Sequence, residues 1–184
     1  MNNNTFYKNS ILKYGISAKG VHWDCKNTQY KRFEIITSFI QNTSCPLVDA
    51  GCGFGEYYKY LQEHNHQKVQ YIGYDCYDKF IYISKQRFLN ITFEDKNILN
   101  DNLINSDYYI CSGALNTLNK TDVKIFINKC FSKSKKAFIF NYLKEKSVSD
   151  LSKVDLLKYC KTLSNKIEIK DDYLDNDFTI CIFK

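Results

Sequence analysis

The sequence predicts an α/β fold, with a mostly parallel sheet covered by helices on both faces and an antiparallel hairpin at its end. Three observations carry that expectation. From about residue 30 onward, short apolar runs of strand length alternate with stretches of helical spacing. The first strand runs directly into a glycine-rich turn, Gly51-Cys52-Gly53-Phe54-Gly55. The last two strand-like runs are separated by only about seven turn residues, Asp171 to Asp177. Helical stretches between strands imply right-handed crossovers and parallel pairing. A link of seven residues is too short for a crossover, so the final strand runs antiparallel to its neighbour if the two pair.

Each element follows from local pattern. Residues 30–41 place Tyr30, Phe33, Ile36 and Ile40 at helical spacing. Pro46 to Ala50 is a short apolar strand, and residues 56–65 form a helix with Tyr57, Tyr60 and Leu61 on one face. Val69 to Tyr74 is the second strand and residues 77–88 the second crossover helix. Ile91 to Phe93 is a short third strand, followed by a polar, Asn-rich stretch to Ser106. Asp107 to Cys111 is the fourth strand, 121–132 a helix, Ala137 to Phe140 the fifth strand and 150–163 a helix. Lys166 to Ile169 and Phe178 to Phe183 form the terminal pair. Residues 1–45 precede the sheet and are expected to pack on it as a helical lid, with 46–184 as the α/β core of a single 1–184 domain.

Composition narrows the class. At 184 residues, 44% hydrophobic and 16% aromatic, the chain is long and apolar enough for one full core. No run of about 18 apolar residues occurs, and the opening Met1-Asn2-Asn3-Asn4 lacks the basic flank and apolar centre of a secretion signal. A cytoplasmic location without membrane contact is the expectation. The eight cysteines form no C-x-x-C pair, and Cys111 and Cys181 lie inside apolar runs, as free thiols do in a reducing compartment. His64 and His66 read as a polar helix end rather than a metal site. The net charge of +6 is dispersed, with Lys133 to Lys136 its one local cluster, which argues against a nucleic-acid surface. Lysines outnumber arginines 24 to 2, so Arg32 and Arg87 stand out.

The chemistry concentrates after the first strand. Glycines there let backbone approach a ligand, and the following helix start offers N–H groups. In a doubly wound sheet the ligand lies outside the carboxyl ends of the strands. Twenty residues beyond Gly55 the second strand ends in Asp75, a carboxylate able to accept both hydroxyls of a ribose. The spacing is G-x-G-x-G, with Glu56 where a dinucleotide fingerprint has its third glycine. With Asp49 two residues before it, the motif Asp49-Ala50-Gly51-Cys52-Gly53-Phe54-Gly55 resembles the first motif of class I S-adenosylmethionine (SAM) methyltransferases. The resemblance covers residues 46–184 and includes Asp75 and the terminal hairpin.

That resemblance implies a Rossmann-like α/β/α sandwich with a seven-stranded sheet, whose last strand inserts beside the fifth. It also implies SAM as cofactor and S-adenosylhomocysteine (SAH) as product. Asp49 would organise the loop and the amino-acid end of the cofactor. Gly51, Cys52, Gly53 and Gly55 would form the turn around its methionyl and ribose parts. Asp75 would take the ribose hydroxyls, and Cys76 would lie against the adenine. The family's acidic residue near the end of strand three is replaced: alignment puts Asn97 there, beside Ile98, with Asp95 the alternative contact. Ser112 and Gly113 would lie beneath the methionyl group. In the N-terminal lid, Tyr14 or Trp23 could cover the sulfonium and Arg32 could hold the cofactor's carboxylate.

Methyl transfer from a sulfonium is an in-line displacement, in which the protein mainly positions the nucleophile and excludes water. No general base stands out; His22 is a weak candidate. Ser112-Gly113-Ala114-Leu115-Asn116 is not the Asn/Asp-Pro-Pro-Tyr signature of many amine-methylating members. Position past the strand ends makes Asn116, Tyr142 and Tyr173 expected acceptor contacts, together with Tyr14 from the lid. Asn141, Asp171 and Asp172 share that rim. A small-molecule methyltransferase is the leading expectation. An RNA or protein methyltransferase, a non-catalytic SAM-binding module and a dinucleotide-dependent reductase are the alternatives.

Overall fold

The structure, a computed structural model, describes residues 26–41, 44–66, 68–145 and 147–184. Its elements are α1 (Lys26–Thr37), β1 (Pro46–Ala50), α2 (Glu56–Glu63), β2 (Gln70–Asp75), α3 (Asp78–Arg87), β3 (Thr92–Asp95) and β4 (Ser106–Ser112). A single 3-10 turn (Ala114–Thr117) follows, then α4 (Lys120–Lys133), β5 (Ser134–Leu143), α5 (Lys153–Leu163), β6 (Ile167–Lys170) and β7 (Asp177–Phe183). The seven strands lie in the order β3-β2-β1-β4-β5-β7-β6. Pairing is parallel from β3 to β5, and β7 runs antiparallel to both its neighbours, β5 and β6. The expected architecture is therefore the observed one.

Alternation along the strands builds a core on each face. Val48, Tyr109, Cys111, Phe138 and Phe140 point into one core, which α4 and α5 complete with Val123, Ile127, Leu156 and Cys160. Leu47, Tyr108, Ile110 and Ile139 point into the other, closed by Phe33 and Ile36 of α1 and Tyr57 and Leu61 of α2. The helices following β1 and β2 thus cover one face, and those following β4 and β5 the other. The connections diverge between the adjacent strands β1 and β4, which opens a crevice at their carboxyl ends. Helix starts are fixed locally. Asn119 accepts the Thr121 and Asp122 amides at the head of α4, and Ser152 with Asp155 forms a capping box on α5.

Two strand limits differ from the sequence reading and move predicted site residues. The ladder between β5 and β7 continues in register to Leu143 opposite Asp177, so Asn141 and Tyr142 belong to the strand rather than to the loop after it. Tyr142 is fully buried, packs on Phe178 at 5.9 Å between ring centroids and has its hydroxyl against Ser149. It is a core residue, not an acceptor contact. Asp177 opens β7 instead of closing the turn, and it is also buried.

Asp177 is what docks α1. Gln29, Arg32, Phe33, Ile36 and Thr37 form the buried stripe of that helix. Arg32 forks onto Asp177, Nε to Oδ1 at 2.5 Å and an Nη to Oδ2 at 2.6 Å. Asn141 Nδ2 donates to the same carboxylate at 3.2 Å. Arg32 is thereby committed to the sheet, which corrects the expectation that it holds a cofactor carboxylate. Among the described residues no helix is long and apolar enough to cross a membrane.

A bidentate pair this deeply buried makes each partner dependent on the other, because removing one strands a charge out of water. Arg32→Met is expected to cost about 3–5 kcal/mol in urea unfolding. The double variant Arg32→Met/Asp177→Leu should recover only part of that loss, because it removes the charge but leaves the buried Asn141 amide without its acceptor. A cost below about 1 kcal/mol for the single variant would show that the pair does not anchor α1.

Candidate functional site

The crevice between the β1 and β4 turns is a cavity of about 360 Å³, within the range of ordinary ligand pockets. Its floor is set by close backbone approach. Gly51 has φ +87°, and a Cβ placed on it would lie 2.5 Å from the Ala114 Cβ. Any side chain at that position would thus push the two turns apart. Gly55 has φ +76°, and its added Cβ would lie 2.9 Å from the Phe88 ring, so its role is packing of α2 on the end of α3. It does not line the cavity.

The turn is held by hydrogen bonds that leave few donors over. The Gly51 and Cys52 amides both donate to the Tyr74 carbonyl, at 2.7 and 2.9 Å. The Gly53 amide donates to Asp75 Oδ2 at 2.9 Å, and the Tyr77 amide donates to Asp75 Oδ1 at 3.0 Å. The Gly51, Cys52 and Gly53 amides are thus spent on β2 and its terminal aspartate. What faces the cavity instead is the Asp75 carboxylate. The Gly53 and Tyr77 amides take one bond at each of its oxygens, leaving capacity for further donors.

Two carboxylates in this wall have no salt-bridge partner among the described residues. Asp49 is buried and accepts the Tyr71 hydroxyl at 2.6 Å. Burial pushes its carboxyl up to about 7; the Tyr71 bond opposes the shift, and the Asp75 charge adds to it. Burial likewise raises Asp75 to about 6, against the pull of the Gly53 and Tyr77 amides. Cys76 is exposed at this wall, and local desolvation with the nearby Asp75 charge raises its thiol.

The structure brings most of the predicted residues to this one cavity. Asp49, Gly51, Cys52 and Gly53 line it from β1 and its turn, and Asp75 and Cys76 from the end of β2. Asn97 and Ile98 line it after β3, where Asp95 does not. Asn97 Oδ1 accepts the Leu99 amide at 3.0 Å, which fixes the side chain in a tight local turn. Ser112, Gly113 and Asn116 line it after β4. The Ser112 hydroxyl is buried there with no hydrogen-bond partner among the described residues. Asn116 Oδ1 accepts the Leu143 amide and its carbonyl accepts the Val148 amide, so it ties the β5–α5 loop to the rim.

Other predicted positions fall elsewhere. Tyr173 is half-buried, pairs its hydroxyl with Thr179 at 2.8 Å and does not line the cavity, which corrects its placement as an acceptor contact. Arg32 and Tyr142 are absent from the lining for the reasons given above. Tyr14, His22 and Trp23 lie outside the described residues. Gln29 and Phe33 of α1 line the cavity and were missed, because they read as ordinary positions on an amphipathic helix. The helical spacing of that stripe was visible; its contact with the crevice depends on α1 crossing the sheet, which no local pattern reveals.

No protein-family model and no curated protein sequence matches the chain. Solved structures do. A TehB-like SAM-dependent methyltransferase from Corynebacterium glutamicum superposes with a TM-score of 0.72 at 15% identity, covering 99% of both chains. A SAM-dependent methyltransferase from Clostridium acetobutylicum gives 0.69 at 14% identity, again over 99% of both. Magnesium protoporphyrin IX methyltransferase from Synechocystis, solved with bound SAM, gives 0.68 at 14% identity over 86% of this chain and 78% of that one.

A carboxyl group whose folded pKa is raised contributes stability that is complete below its unfolded value near 4 and lost as pH rises to the folded value. For Asp49 that window runs from about pH 4 to about 7. Asp49→Asn keeps an acceptor for Tyr71 without the charge. Between pH 4.5 and 7.5 the wild type should therefore lose more stability in urea than Asp49→Asn does. Parallel losses would place the Asp49 pKa near that of a solvated carboxylate. By its strand order, its reversed seventh strand and these superpositions, the chain has the fold of the class I SAM-dependent methyltransferases.

Proposed function

We propose that the chain is a SAM-dependent methyltransferase acting on a small molecule, with SAH as the product left behind. The observation that carries this reading is the Asp75 carboxylate. It is presented to a crevice at the sheet's switch point and held by two backbone amides that leave it accepting capacity. The residues present fit the cofactor. Asp75 would receive the ribose diol, with Cys76 and Ile98 on either side of the adenine and Asn97 at its edge. Gly51, Gly53 and the unpartnered Ser112 hydroxyl would meet the methionyl half. Bound SAM supplies a methyl group already activated on sulfur.

The remaining work is positioning and exclusion of water. The 3-10 turn Ala114–Thr117 and the loop carrying Val148 are tied together through Asn116. They wall the side of the cavity where an acceptor would approach the methyl group. Residues before β1 are proposed to close the cavity from above, with Gln29 and Phe33 already at its edge. Two features favour a small acceptor over a nucleic acid. The site is a partly open cavity rather than a surface strip. Among the described residues its wall carries Asp49, Glu56 and Asp75 against one cation, Lys96, which disfavours a polyanion despite the chain's net charge of +6.

Calorimetry tests the cofactor assignment. Wild type should bind SAM and SAH with micromolar affinity and NAD not at all. Asp75→Ala should weaken SAM at least tenfold, the scale of losing hydrogen bonds to a charged group. Unchanged SAM affinity in Asp75→Ala would remove the ribose assignment, and NAD binding without SAM binding would replace the reading with a reductase. Turnover across a panel of small acceptors then separates an enzyme from a binding module, and a salt-sensitive RNA gel shift would favour the nucleic-acid alternative.

A further inference from the structure

The second of the two arginines, Arg87, lies in the last turn of α3, outside the cavity, yet it grips the glycine turn from behind. Its Nη1 donates to the Phe54 carbonyl at 2.6 Å, and its Nη2 lies 2.6 Å from Glu56 Oε1. The guanidinium also lies over the Phe88 ring at 5.1 Å. One turn earlier on the same helix, Ser84 Oγ stands 2.9 Å from the Gly53 carbonyl. Ser84 Oγ is also 2.9 Å from the Phe80 carbonyl of its own helix and has one proton to give, so the Phe54 carbonyl is the one that α3 holds outright. The amide of Gly53, on the opposite side of the turn, is held by Asp75. Glu56, which occupies the place of a fingerprint glycine, is the anionic arm of this clamp.

We infer that Arg87 is a positioning residue for the cofactor turn, setting SAM affinity through Phe54 and Glu56 without touching the cofactor. The inference rests on the proposed SAM site. The turn has three residues at positive φ, Gly51, Gly53 and Gly55, and glycine backbone is free to leave such conformations. Binding would otherwise have to order it, and a turn fixed in advance avoids that cost. A planar fork reaches a carbonyl and a carboxylate at once, which a lysine ammonium on a flexible stem does not reproduce.

The test compares SAM binding by calorimetry with thermal unfolding for the wild type, Arg87→Ala, Arg87→Lys and Glu56→Gln. Ile127→Val, a core truncation on the opposite face of the sheet, serves as the stability control. Arg87→Ala should weaken SAM at least tenfold at full binding stoichiometry, Arg87→Lys should recover only part of that affinity, and Glu56→Gln should lose a few-fold. Ile127→Val should lower the melting temperature with SAM affinity unchanged. If the Arg87 variants bind SAM as tightly as the wild type and only melt earlier, Arg87 is structural and the inference fails. If Arg87→Ala does not fold, the Lys and Gln variants decide by the same criterion. A wild type that does not bind SAM would instead overturn the proposed function.

Discussion

The bond from the Gly53 amide to the Asp75 carboxylate is the contact on which the site depends. It joins the end of β1 to the end of β2 across the place where the chain leaves the sheet. It also fixes a carboxylate at the rim of the crevice while leaving part of its accepting capacity open. The neighbouring amides of Gly51 and Cys52 close onto the Tyr74 carbonyl, so the whole turn is tied to β2. Burying Asp75 against its own solvation is unfavourable, and its raised pKa records that. The two amide bonds offset the penalty in part, and a ligand with hydroxyl donors would offset more of it.

The rest of the molecule places this turn. Strand order makes β1 and β4 neighbours whose following helices go to opposite faces, and the crevice between them is a consequence of topology. The antiparallel β7, inserted between β5 and β6, extends the sheet and brings Asp177 beneath α1. The Arg32 pair then holds α1 where Gln29 and Phe33 reach the cavity. One arginine thus fixes the helix at the cavity edge, and the other braces the turn at its floor.

Much of this was legible in the sequence because the signals were local. The glycine spacing, the aspartate twenty residues on and the short terminal turn each fix chain geometry within a few residues of themselves. The residues misplaced were those whose role depends on distant partners. Asn141 and Tyr142 follow the apolar run Ala137 to Phe140, and only pairing with β7 shows that the strand continues through them. Arg32 reads as a free cation until Asp177, 145 residues away, is brought against it. Tyr173 reads as a rim aromatic until Thr179 takes its hydroxyl. Glu56 and Arg87 each stand out in the sequence, but their pairing does not, since it needs α2 and α3 packed side by side.

A crystal structure of the chain with bound SAH is the most direct measurement. The ribose hydroxyls should lie within hydrogen-bonding distance of both Asp75 oxygens, with the amino-acid half against Gly51, Gly53 and Ser112. The Gly53 amide should keep its bond to Asp75. SAH lodged away from Asp75, or a glycine turn refolded so that Gly53 releases the carboxylate, would contradict the assignment.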